Sequence, residues 1–86
     1  MSTCELLFRG YDAASQRGAI RWELFLDRQV RDVLLTPSAD TLRVLHNGSA
    51  DPEHWCALLW AAGFPTPHVG ASQEVLAVDE PRDAVA

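Results

Sequence analysis

Ala19-Ile20-Arg21-Trp22-Glu23-Leu24-Phe25-Leu26-Asp27 is the stretch on which the fold turns. Ile20, Trp22, Leu24 and Leu26 alternate with Arg21, Glu23, Phe25 and Asp27, the period of a half-buried strand whose successive side chains point to opposite faces. A helix over Ile20–Leu35 is the competing reading. It spreads apolar residues around most of the circumference, with Asp27 and Arg31 among them, so period two fits better. The stretch therefore predicts a strand that turns at Asp27-Arg28-Gln29 into a second strand, Val30–Thr36.

Reading onward, Pro37-Ser38-Ala39-Asp40 is a turn with proline placed to preset a type I bend. Thr41–His46 follows as a third strand, with Leu42 and Val44 opposite Arg43 and Leu45. Connections this short demand antiparallel neighbours, so residues 19–46 read as a three-stranded meander. Asn47-Gly48-Ser49 ends it.

Asp51-Pro52-Glu53-His54-Trp55-Cys56-Ala57-Leu58-Leu59-Trp60-Ala61-Ala62-Gly63-Phe64-Pro65 carries both ends of a helix. Asp51 can cap the first free amides, and Pro52 suits the first helical position. Glu53 lies at the positive end of the dipole, Gly63 can take a left-handed turn, and Pro65 prevents resumption. Trp55, Leu58, Leu59 and Ala62 share one face, while Trp60 falls on the far side with Glu53 and Ala57.

Toward the N-terminus, Cys4–Tyr11 reads as a strand with Cys4, Leu6 and Phe8 on one face. Glu5, Leu7, Arg9 and Tyr11 lie on the other. Beyond the helix, Thr66–Gly70 is a connector, and Gln73–Val78 can add a final edge strand. The fold class is thus α+β: an antiparallel meander sheet of four to five strands with one short helix of the C-terminal half packed on one face. A helix of about eleven residues spans roughly 16 Å, too little to cover such a sheet. Leu7, Tyr11, Phe25, Val33 and Leu35 are expected on the surface left over. Residues 1–78 form one small domain, and 79–86 an acidic tail.

The chain is 86 residues long with a formal net charge of −5. Residues 1–43 hold six arginines and six acids; residues 44–86 hold Arg82 against six acids and carry all of the imbalance. No apolar run approaches the roughly 20 residues of a membrane span. No secretory signal is legible, and two cysteines, Cys4 and Cys56, are expected as free, mostly buried thiols. All three features point to the cytoplasm.

Chemistry is sparse. His46, His54, Cys56 and His68 can ligate metals, but no pair has a ligand spacing, and His54 and Cys56 point about 200° apart on their helix. The sequence assigns no metal, no cofactor and no catalytic residue. Cys56, in the first half of a helix, is the one candidate for a small thiol- or metal-dependent enzyme, the third-ranked reading. Arg9, Arg21, Arg31 and Arg43 with Tyr11, Trp22 and Phe25 can grip nucleic acid on a sheet face. Neighbouring acids and the negative net charge stand against that second reading. The leading reading is a protein–protein interaction module, self-associating as a homodimer, with Trp60, Phe25, Arg21 and Arg43 at the interface.

Overall fold

A computed structural model describes residues 1–74. In chain order these form β1 (Ser2–Leu7), a single 3-10 turn (Ala14–Gln16), α1 (Arg17–Leu24), β2 (Val30–Leu35), β3 (Thr41–His46), α2 (Pro52–Ala61), β4 (His68–Val69) and β5 (Gln73–Glu74). The strands make one antiparallel sheet in the order β2-β3-β1-β4, with β5 also pairing β1. β5 lies along Ser2 and Thr3, β4 along Leu6 and Leu7, so one edge of β1 is covered in two pieces. The rest of the expected strand Gln73–Val78, and the acidic tail, lie outside the described residues.

The α+β class and the antiparallel sheet stand, with one exchange of elements. Ala19–Asp27 is not a strand. Arg17–Leu24 is helical, and the chain turns at residues 25–29 into β2. Ile20 and Leu24, four apart, are fully buried, whereas Trp22 and Leu26, assigned to the same face by period two, are exposed. The helix is hard to see because its outer face is apolar as well. With that strand gone, the meander reduces to the β2–β3 hairpin, and β1 inserts beside β3.

Both helices lie on one face of the sheet. The core there is built from Cys4, Leu6 and Phe8 of the first strand and its extension, Val33, Leu42 and Val44 of the hairpin, and Ile20, Leu24, Trp55 and Leu59 of the helices. A fully buried side chain of this size contributes about 1.5–3 kcal/mol. Four of the five residues expected on the uncovered face belong elsewhere: Phe25 follows α1, Leu35 lies on the helix side opposite the buried Leu42, and Val33 and Tyr11 pack into or against the core. Val33 is fully buried, because a bulge between Val30 and Asp32 shifts its register, and Tyr11 packs against the core beside Phe8, 6.0 Å between rings. A left-handed Gly10 turns the chain before Tyr11 and takes it off the strand's alternation. The uncovered face carries Thr3, Glu5 and Leu7 opposite Leu45, Arg43 and Thr41, with Leu34 next to Arg43.

α2 follows its sequence signals closely. The Asp51 carboxylate accepts from the His54 amide at 3.3 Å, Pro52 opens the helix, and Gly63 adopts φ 92° just past its end. The Phe64 amide then donates back to the Leu59 carbonyl at 2.9 Å, which folds Phe64 onto the core.

Candidate interaction surface

At 100° per residue, α1 presents three sectors. Ile20 and Leu24 face the core. Arg17, Arg21 and Phe25, the last just beyond the helix end, lie toward β2, and Trp22 and Leu26 point outward. Trp22 is 75% exposed, Leu26 66% and Phe25 37%. Phe25 carries the Arg21 guanidinium over its ring at 4.4 Å, a cation–π contact that fixes the edge of the patch. The Arg21 Nε donates to the Asp32 carboxylate of β2 at 2.8 Å. That bond, with the Val33 amide donating to the same oxygen at 2.8 Å, holds the Asp32 carboxyl below its ordinary range. Leu34 and Leu35, on the edge strand beside α1, are exposed too. Leu34 points to the open sheet face and Leu35 to the helix side, so the apolar patch itself is Trp22, Phe25 and Leu26.

The four residues singled out from sequence fall in three places. Arg21 and Phe25 touch each other, but on α1 rather than on a sheet. Arg43 is on the open sheet face, its Nη2 2.8 Å from the Glu5 carboxylate directly across the strand pair. Trp60 is on α2, 72% exposed, and borders a shallow depression with Gly63, Phe64 and Pro65. It lies beside the connector without being covered by it. Sequence reasoning put Trp22 and Leu26 on the same half-buried strand face as Ile20 and Leu24, and named Trp22 only as a nucleic-acid contact. The signal that separates them is the four-residue interval between Ile20 and Leu24.

Where the C-terminal end of α1 meets the start of α2, polar groups converge. Asp27 is buried, only 8% exposed. Its Oδ2 accepts from Trp55 Nε1 at 2.7 Å, and its Oδ1 from the Gln29 amide at 2.9 Å. His54 Nδ1 lies 3.6 Å from Asp27 Oδ2 and 3.9 Å from Asp51 Oδ2. Beneath Trp55 lies the fully buried His46, edge-on to the indole at 5.4 Å. With its proton on Nδ1 the ring donates to the Asn47 carbonyl at 3.4 Å, and Nε2 accepts from the Ser72 hydroxyl at 3.1 Å.

Both cysteines are free. Burial pushes the Cys4 thiol up, partly offset by a hydrogen bond with Ser72, and burial also raises Cys56, whose thiol reaches the Pro67 carbonyl at 3.7 Å. Neither environment favours a thiolate nucleophile. Among the described residues no helix is long and apolar enough to cross a membrane.

No protein family, characterised protein or solved structure matches this chain.

Proposed function

We propose that the chain is a protein–protein interaction module of the cytoplasm that self-associates as a homodimer, and that the outer face of α1 is central to the contact. The observation that carries this reading is the exposure of Trp22, Phe25 and Leu26 together on one turn and a half of chain. Aromatic, leucine and arginine side chains in one patch have the composition of an interface centre, and small domains gain stability by covering such surface. The Arg21–Phe25 contact supplies a pre-ordered border, so less side-chain freedom is lost on docking. Free thiols support the cytoplasmic assignment. Trp60, on the other helix, is the second candidate contact.

The arginine faces support a protein partner over nucleic acid. Arg21 and Arg43, which a nucleic acid would have to engage, already have carboxylate partners at 2.8 Å. Phosphate binding would have to break those pairs against a net charge of −5.

Sedimentation over a wide concentration range tests the proposal with wild type, Trp22→Ser and Trp60→Ala. Wild type is expected to dimerise, Trp22→Ser to be a folded monomer, and Trp60→Ala to weaken the dimer by less. A wild-type monomer at every concentration overturns self-association. A dimer lost only on Trp60→Ala moves the interface to α2.

A further inference from the structure

We infer that Asp27, Asp51 and His54 form a binding site for a divalent transition cation, Zn2+ being the natural probe, that joins the C-terminal end of α1 to the N-terminal end of α2. Among the described residues these three are the one group of metal-capable side chains whose donor atoms converge, all within 4.8 Å of one another. A tetrahedral ion with bonds of about 2.0–2.1 Å needs donor separations of roughly 3.4 Å. His54 Nδ1 is 3.6 Å from Asp27 Oδ2 and 3.9 Å from Asp51 Oδ2. Contraction by less than an ångström between His54 and each carboxylate, and by up to about 1.4 Å between the two carboxylates, meets that need. The movement falls to His54 and Asp51, whose side chains are 46% and 59% exposed, while the buried Asp27 is fixed.

Charge supplies the second, independent argument. Asp27 buries a carboxylate whose hydrogen bonds come from two neutral donors, the Trp55 indole and the Gln29 amide. Among the described residues the only potentially cationic side chain within 4 Å of it is His54. A buried anion without a full counter-charge is costly, and a second carboxylate, Asp51, stands beside it. Two aspartates and one imidazole are a donor set suited to a divalent cation.

Each of the two carboxylates also has a separate group to orient it, as metal ligands usually do. Asp51 spends Oδ1 on the His54 amide and keeps Oδ2 free. Asp27 Oδ1 is tied to Gln29 and its Oδ2 is steered by Trp55. The mixed oxygen and nitrogen donors suit Zn2+, Co2+ or Mn2+ and leave positions open for water. The positive end of the α2 dipole opposes a cation here, but its effect is at most about that of half a charge, against two carboxylates.

The test uses the untagged full chain, titrated with Zn2+ at neutral pH by calorimetry. Thermal unfolding and the visible absorption of the Co2+ form are followed in parallel. One equivalent is expected, with a Tm that rises as Zn2+ is added and a Co2+ spectrum lacking a thiolate charge-transfer band. His54→Ala and Asp51→Asn should each weaken binding at least tenfold. Asparagine keeps the helix cap, so that variant separates ligand loss from unfolding if His54→Ala proves unstable. No binding at about 1 mM Zn2+, affinity unchanged in either variant, or a thiolate band pointing to Cys4 or Cys56 would each overturn the site.

Discussion

A single indole nitrogen decides how Asp27 can be buried. Trp55 Nε1 donates to its Oδ2 at 2.7 Å, the short end of the N–H···O range. Trp55→Phe removes that donor and leaves a small void in the centre of the core. We expect a loss of about 2–4 kcal/mol in denaturant unfolding, from an unpaired buried acceptor plus the cavity. A loss under about 1 kcal/mol would mean that water reaches the carboxylate and replaces the indole. Trp22, by contrast, has no role in the core at 75% exposure. The two tryptophans look alike in composition, yet one is a structural donor and the other a surface patch.

At the scale of elements, α1 and β2 are coupled through Arg21 and Asp32. The Asp32 carboxyl is held low first by the hydrogen bond from Arg21, then by the Val33 amide. A carboxyl lowered in the folded state contributes stability that is present above its unfolded value, near 3.9, and is lost as pH falls through the folded value. The pair is more than a third exposed, so the contribution is roughly 0.2–1 kcal/mol. Arg21→Ala should therefore destabilise slightly at pH 7, with the difference from wild type shrinking as pH falls below the ordinary carboxylate range through the lowered folded value. Urea midpoints across that range check this, and a gap that persists in acid would assign the effect to lost cation–π packing on Phe25. The same two elements show what was legible in sequence. α2 announced itself because its cap, its proline and its terminating glycine are local signals that need no tertiary context. α1 carries no side-chain cap hydrogen bond, and its apolar outer face makes period two fit the stretch better than period 3.6. Strand β1 and the β2–β3 hairpin were readable from alternation. The convergence of Asp27 with Asp51 and His54 was not, since it joins residues 24 and 27 positions apart through a helix packing that had been read as a strand.

For the whole molecule, a one-sided core leaves the opposite sheet face open and concentrates stability in the layer between sheet and helices. Cys4 lies within that layer, and Cys56 is half-buried at its border, both with raised thiol values. Alkylation at neutral pH should be slow for both in the folded chain and faster by orders of magnitude on adding denaturant, with Cys56 leading Cys4. Rapid native-state modification of Cys56, followed by mass spectrometry, would revive a thiol-based activity. Exposed edges are the other global liability. On β2 the Val33 amide is already engaged by Asp32, and a bulge interrupts the register at Arg31. The border therefore offers side chains to a partner more readily than a strand ladder.

The two-piece edge on β1 has its own consequence. β4 and β5 contribute two residues each, and between them Ser72 leaves the ladder to meet the His46 ring. That ring lies under Trp55, which in turn holds Asp27, so a weakly anchored strip of backbone closes one end of a continuous chain: hydroxyl, imidazole, indole, carboxylate. Through that series of contacts the short strip between β4 and β5 reaches the junction between the two helices.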